Sequence, residues 1–360
     1  MHVDERQEVR FCASADGTRL AYAATGRGPP LVKAANWLTH LEDDRRSAIW
    51  EPWVRALSSR FRYLRYDTRG CGLSDREPQE LSLESWVRDL EAVVDAAKLE
   101  RFTLLGLSQG GPIAMAYAVR HPERVERLVL YGAFARGRLR RNASPAVVEE
   151  ALLNYRIVEH SWGGSNPGFR DFFASTFIPD SSLEMLHAFA ELQRVSSSPA
   201  HAVLQMQVSD QLDVSDLARQ VACPTLVMHS REDARVPFSE GRHLAALIPN
   251  ARFVPLDSRN HVLLGSEPAF GRFMEEVTAF VPPPASPQVD FGALTARERG
   301  LLDLLARGLD NHQIAAHLDV AEKTVRNHVS AILAKIGVDS RGRAIVLARE
   351  AGFGAAPGPR

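Results

Sequence analysis

Cysteine is scarce in this chain. Cys12, Cys71 and Cys223 are three in 360 residues, odd in number and far apart, which excludes a disulfide framework and shows no zinc-ligand spacing. Free thiols are expected, with no metal and no cofactor. Long hydrophobic runs are also missing: none approaches the ~20 apolar residues that a spanning helix needs, so no membrane is expected as a partner. The start, MHVDERQEVRFC, is charged and has no apolar stretch of secretory length, which points to the cytoplasm. An excess of either charge is lacking as well, with 43 Lys/Arg against 44 Asp/Glu. What is present is 45% hydrophobic and 24% charged residues, an ordinary globular composition, in a length that allows one large core and a small extra domain.

The neutral total conceals an uneven distribution. From Phe291 onward ten Lys/Arg face seven Asp/Glu, and over residues 323–360 seven face two. A basic stripe of this kind is either a solvated face or the footprint of a nucleic acid.

Along the chain, VRFCASADGTRLAYAATG reads as two strands joined by an Asp16-Gly17 turn, because alternating apolar positions flank a dipeptide suited to positive φ. Strands and helices then alternate: PPLVKAA, a helix over 50–57, FRYLRYD, the SLESWVRDLEAVVDAAKL helix, RFTLLGLS, the GGPIAMAYAVRHP helix and VERLVLYGA. Such βαβ succession predicts a mostly parallel sheet with helices on both faces. Over about 135–219 the strands stop and short helical segments rich in Phe and Leu replace them, as in an inserted cap. CPTLVMHS, GRHLAALIP and ARFVPLD resume the alternation, and PAFGRFMEEVTAFV closes it near residue 280. VPPPASPQVD, 281–290, is a proline-rich linker whose prolines block helix and central strand alike. A small helical domain fills 291–360.

GLSQGG, residues 106–111, lies between the strand RFTLL and a helical run. By itself a G-x-S-x-G is as readily a glycine-rich turn with an incidental serine. Its setting of strand, tight turn and helix is what a nucleophile elbow requires, since small neighbours permit the strained turn that lifts Ser108 Oγ above the sheet. The helix that starts there adds a positive dipole end beneath a developing oxyanion. With this motif and the YDTRGCGLSD segment, residues 10–280 resemble the α/β-hydrolase fold. Gly70 and Gly72 in that segment are turn-formers rather than a phosphate cradle.

The resemblance implies two partners for Ser108, because a serine hydroxyl needs a histidine to take its proton and a carboxylate to fix that histidine's tautomer. PTLVMHSREDARVP matches the strand and loop of the acid, which gives Asp233 that role, with Glu232 its local rival and His229 structural. SRNHVLLGSEP matches the histidine loop, giving His261 as general base. The resemblance also implies an oxyanion hole from the backbone N–H of Gln109 and of Trp37. Many hydrolases carry His-Gly where this chain has Ala35-Asn36, so Asn36 is expected to tolerate left-handed φ there. Lys33, placed in a strand that should be apolar, is either at an edge or solvent-facing position or joins Asn36 and His40 in a polar ligand pocket. Trp162, Phe169, Phe172, Phe173, Phe177, Met185 and Phe189 in the cap suggest an enclosed, mostly apolar pocket for a small ester, lactone or similar carbonyl compound.

Residues 294–341, LTARERGLLDLLARGLDNHQIAAHLDVAEKTVRNHVSAILAKIGVDSR, resemble the LuxR-type DNA-binding domain of bacterial transcriptional regulators. LTARE opens the first helix with Leu294, Thr295, Arg297 and Glu298; NHQIAAHL is the scaffold helix. EKTVRNHVSAILAKIGV is the recognition helix, with Val325, Val329 and Ile332 inward at helical spacing. The resemblance then implies that Lys323, Thr324, Arg326, Asn327 and His328 project toward double-stranded DNA, Arg and Asn reading base edges, while Lys335 and Arg341 meet phosphate. Gly300, Asp310 and Ala321 depart from the family pattern and are expected to weaken helix ends slightly. A helical protein-interaction module is the alternative.

Together the halves suggest a regulator, expected as a homodimer, whose sensor is an enzyme fold. The rival is a working carboxylic-ester hydrolase whose DNA-binding tail only localises or autoregulates it.

Overall fold

In the structure, a computed structural model, the described residues are 7–141, 143–162, 168–281, 291–338 and 340–354. They form two compact units, Met1–Pro282 and Pro283–Arg360. Residues 282–290 of the expected linker lie outside the described residues.

The first unit is built on a sheet of strands β1 (Arg10–Ala13), β2 (Arg19–Thr25), β3 (Pro30–Ala34), β4 (Arg62–Tyr66), β5 (Phe102–Leu107), β6 (Val125–Tyr131), β7 (Thr225–Ser230) and β8 (Arg252–Leu256). Their order is β1-β2-β4-β3-β5-β6-β7-β8. β1 and β2 form an antiparallel hairpin, whose turn holds Gly17 at φ +86°, and β2 runs antiparallel to β4. From β4 onward every pairing is parallel. Alternate residues of each strand enter different cores: Leu31, Leu105, Leu107, Val129 and Tyr131 face one, and Val32, Leu104, Leu128 and Leu130 the other. Helices α1 (Glu51–Ser58) and α11 (Pro268–Phe280) pack into the first core through Trp53, Leu57, Phe270 and Phe273. Helices α2 (Leu83–Ala96), α3 (Gly110–Arg120) and α10 (Phe238–Leu247) cover the second.

Between β6 and β7 lie the cap helices α4 (Arg138–Arg141), α5 (Pro145–Ser161), α6 (Gly168–Ser175), α7 (Leu183–Ser196), α8 (Pro199–Asp210) and α9 (Ser215–Ala218). Tyr155, Val158, Trp162, Phe173, Phe177 and Phe189 of the cap join the core of α1 and α11, so cap and sheet share one packed interior. Phe169 and Phe172 remain exposed.

Lys33 is neither at an edge nor solvent-facing. It is buried in β3, a central strand, with its Nζ 4.5 Å from the Trp50 ring centre. Burial pushes its ammonium down to about 8, against the attraction of Asp44.

Among the described residues the second unit has four α-helices, α12 (Ala296–Ala306), α13 (Asn311–Leu318), α14 (Glu322–Lys335) and α15 (Arg341–Glu350), after a 3-10 turn at Phe291–Ala293. Leu301, Leu302, Leu305, Ile314, Val325, Ile332 and Ala344 form its core. Thr295 and Glu298 make a reciprocal capping box at α12. Asp310 does the same with Gln313 at α13, so the expected weakening there is corrected: an Asp carboxylate caps as well as Ser. Ala321 offers α14 no side-chain cap.

Candidate functional site

Ser108 stands between β5 and α3 at φ +48°, the left-handed region that an ordinary side chain enters only under strain. Its glycines are required by contact. A Cβ on Gly106 would lie 2.8 Å from Gly111 Cα, one on Gly110 2.7 Å from the Ala34 carbonyl oxygen, and one on Gly111 would overlap Ala133. The tight turn therefore seats α3 against β3 and β6 and leaves the Ser108 hydroxyl at the sheet's end.

His261 Nε2 lies 2.8 Å from Ser108 Oγ, and His261 Nδ1 2.7 Å from Asp233 Oδ2. With the proton of Nδ1 donated to Asp233, Nε2 is the acceptor for the serine hydroxyl. Asp233 Oδ1 accepts from the Arg235 and Val236 N–H groups at 2.8 and 2.9 Å, which fixes the carboxylate. Burial works to raise the Asp233 carboxyl, but His261, by charge and hydrogen bond, and then His229 outweigh it and hold it below its ordinary value. Glu232, the rival acid, points outward with 73% of its side chain exposed, 3.7 Å from Arg259. His229 is fully buried, its Nε2 2.9 Å from the Val236 carbonyl, and burial lowers its pKa.

The backbone of the cap holds the histidine loop, a feature without a sequence signature. The Phe177 carbonyl accepts from the His261 and Val262 N–H groups at 2.8 and 3.1 Å. Trp53 Nε1 of α1 donates to the Leu263 carbonyl at 2.9 Å. Tyr131 and Ser230 hydroxyls both reach the Asn260 carbonyl, so β6 and β7 anchor the residue before His261.

A small cavity opens at Ser108 and His261, lined mainly by Trp37, Trp50, Trp53, Leu107, Tyr131, Phe177 and Phe189. Asn36 reaches this cavity with its Oδ1 buried and unbonded. Lys33 and His40 do not line it; the His40 imidazole turns instead to Asp43, 3.2 Å away. The expected polar trio is thus reduced to Asn36, because Lys33 sits in the sheet and His40 is held by its own turn. Left-handed φ falls on Leu38, at +43°, and not on Asn36. Trp37 and Gln109 both border a second cavity with Ser108. The turn-forming reading of Gly70 and Gly72 agrees with their φ of +79° and +52°.

In the second unit, Val325, Val329 and Ile332 of α14 are buried, and the opposite face carries Lys323, Arg326 and Asn327 exposed, with Thr324 and His328 half-buried. Lys335 and Arg341 depart from expectation. Lys335 Nζ lies 2.8 Å from both Glu298 carboxylate oxygens, and the Arg341 guanidinium bonds Asn311 Oδ1 and the Leu309 carbonyl at 2.5 Å each. Both cations tie helices of the unit together.

Comparison with known proteins agrees with this architecture. Residues 46–268 match the family described as alpha/beta hydrolase fold, and residues 292–348 match the bacterial regulatory proteins of the luxR family. A pyrrolizixenacetamide deacetylase of Xenorhabdus hominickii is 26% identical over 238 residues, 66% of this chain and 86% of that protein. Among solved structures, the enol-lactonase of Burkholderia xenovorans LB400 superposes with a TM-score of 0.61 at 28% identity, over 75% of this chain and 99% of that one. An esterase from Exiguobacterium antarcticum shares the fold, with a TM-score of 0.64 at 23% identity, over 75% and 98%. The chain belongs to the alpha/beta hydrolase fold family and carries at its C-terminal end a LuxR-family DNA-binding domain.

Proposed function

We propose that this protein is a DNA-binding transcriptional regulator whose hydrolase unit senses a small carbonyl compound and turns it over by acyl transfer. The observation that carries the reading is the bonded series Ser108, His261, Asp233 at the mouth of an apolar cavity, in one chain with a LuxR-type reader. In such a reaction Ser108 Oγ attacks the carbonyl carbon while His261 Nε2 takes its proton, and Asp233 stabilises the imidazolium. The Gln109 and Trp37 N–H groups face the resulting oxyanion. Collapse breaks the bond to the leaving alcohol, which departs with the proton from His261. A water then repeats the attack, releasing the acid and restoring Ser108.

The reader, in this proposal, sets the exposed face of α14 in the major groove, with Lys323, Thr324, Arg326, Asn327 and His328 toward the DNA. A dimer on two half-sites spaced by one or more helical turns is the assembly such readers use.

The test is retention of DNA from the region upstream of its own coding sequence by the full chain, with and without a fluorophosphonate on Ser108. Labelling that vanishes in Ser108→Ala, with a shift in DNA affinity on labelling, supports the sensor. The intact triad geometry also favours a second reading, a carboxylic-ester hydrolase whose tail only localises or autoregulates it; ester turnover with no effect of Ser108 occupancy on DNA binding would establish that reading.

A further inference from the structure

The cavity that borders Ser108 and Gln109 differs in kind from the apolar one. Arg138, Arg141 and Arg235 line it together with Asp210. The same three arginines also line a wider cleft that reaches Glu150 and Phe172. A cationic chamber therefore adjoins the nucleophile and continues into an open cleft.

The carboxylates nearby do not use up this charge. Glu240 is bonded to Arg136 at 2.5 Å. Arg138 lies 3.5 Å from Glu150 and 3.9 Å from Asp210, and Asp210 accepts a hydrogen bond from the Tyr155 hydroxyl at 2.7 Å. Among the described residues neither Arg141 nor Arg235 has an ion-pair partner within 4.0 Å, and Arg141 Nη1 is buried without a hydrogen bond. The Arg235 guanidinium carbon lies over two rings, 4.9 Å from the centre of Phe173 and 4.7 Å from that of Phe177. A cation–π contact does not use up the guanidinium N–H donors, which stay available to an anion. Burial and the neighbouring Arg138 push Arg235 down to about 10, and burial lowers Arg141 as well. Both shifts describe cations short of a counter-ion. A buried donor with nothing to bond is costly, and a carboxylate entering this chamber would satisfy it with charge-assisted bonds.

We propose that Arg141 and Arg235, with Arg138 beside them, form a subsite for a carboxylate of the ligand, so that the compound presented to Ser108 is a carbonyl compound with an apolar arm at one end and a carboxylate at the other. This assignment rests on the reading of Ser108 as the reacting group. The apolar arm lies among Trp50, Trp53 and Tyr131, and the carboxylate lies in the arginine chamber.

The experiment uses the full chain and two chromogenic esters of equal acyl length, mono(4-nitrophenyl) glutarate and neutral 4-nitrophenyl valerate. The hemi-ester should show a kcat/KM at least about tenfold higher, a preference that falls as salt rises. Arg141→Met and Arg235→Met should each cut that preference at least about fivefold, while Arg156→Met, an exposed arginine that lines neither cavity, should leave it in place. Because the unaltered protein already reports the preference, a variant that fails to fold does not decide the matter. Labelling of Ser108 by a fluorophosphonate checks the acyl-transfer reading independently. Labelling with equal turnover of both esters overturns the anion subsite and leaves Ser108 chemistry standing. Should Ser108 resist labelling and no ester be cleaved, quenching of tryptophan fluorescence by the two esters in Ser108→Ala decides the subsite: tighter binding of the hemi-ester upholds it, and equal binding overturns it.

Discussion

In the hydrolase unit the side chains at the centre of the site are bonded to one another: Ser108 to His261, His261 to Asp233, and Asp233 to two backbone N–H groups. In the reader unit Lys323, Arg326 and Asn327, which are proposed to meet DNA, are exposed, and the Glu322 carboxylate lies 3.9 Å from Arg326. The contrast follows from where each partner comes from. A reacting centre gains from donors and acceptors fixed before the substrate arrives, because no reorganisation is then needed in the transition state. A groove reader leaves its hydrogen-bonding capacity open, since base edges supply the other half. A polar side chain satisfied inside its unit thus supports a chemical role in the first unit and argues against a DNA role in the second. Lys335 and Arg341 fall on the wrong side of that line.

The largest effect expected from this difference lies in the closed network. Asp233→Asn keeps the shape of the site but offers His261 an amide in place of an acceptor-only carboxylate, which favours the wrong imidazole tautomer. A loss of roughly 10⁴-fold in kcat on a nitrophenyl ester is expected at neutral pH. Glu232→Gln, one residue away and exposed, should leave kcat within about twofold. Equal losses in the two variants would mean that the acid is not the one bonded to His261.

The open face should respond more mildly and with sequence dependence. Arg326→Ala or Asn327→Ala is expected to cost roughly 1–3 kcal/mol against one particular base pair and little elsewhere in the site, read by selection from randomised duplexes. Uniform weakening across all sequences would reassign these residues to phosphate.

Much of this could be read in the sequence because the signals are local. Alternating apolar positions give the first hairpin, short apolar runs between helical patterns give the later strands, and 106–111 carries strand, turn and helix in six positions. The helical spacing of Val325, Val329 and Ile332 separates the buried face of α14 from the exposed one. What escaped is carried by residues distant in sequence or by the backbone. Lys33 reads as misplaced until Trp50 is seen beneath its ammonium. The Phe177 carbonyl that holds His261 leaves no mark, since every residue has a carbonyl. The arginine chamber joins Arg138 and Arg141, at the start of the cap, to Arg235 in the loop of the acid, and only the fold brings them to one cavity. Asp310 shows that a departure from a family's usual residue need not weaken a helix when its side chain offers the same acceptor.

The smallest effect separates two lysines of one helix. Lys323 is exposed at the start of α14, whereas Lys335 at its end is bonded to Glu298, itself part of the cap of α12. The Glu298 carboxyl is held at about 2, first by the hydrogen bond from Lys335 and next by the Thr295 N–H. Since that value lies below the ordinary 4.5, the stabilisation is fully present above about pH 4.5 and is lost as pH falls toward 2. Lys335→Ala should therefore loosen α12 and α14 at neutral pH, seen as faster amide exchange in those two helices, and the difference from the parent should disappear toward pH 2. Lys323→Ala should instead leave amide exchange alone and reduce the slope of log affinity against log salt by about 1, as loss of one phosphate contact does. The two lysines then separate by measurement. If Lys335→Ala also flattens the salt slope by that amount, the ammonium leaves Glu298 for phosphate when DNA binds, and the division between inward and outward cations fails at that residue.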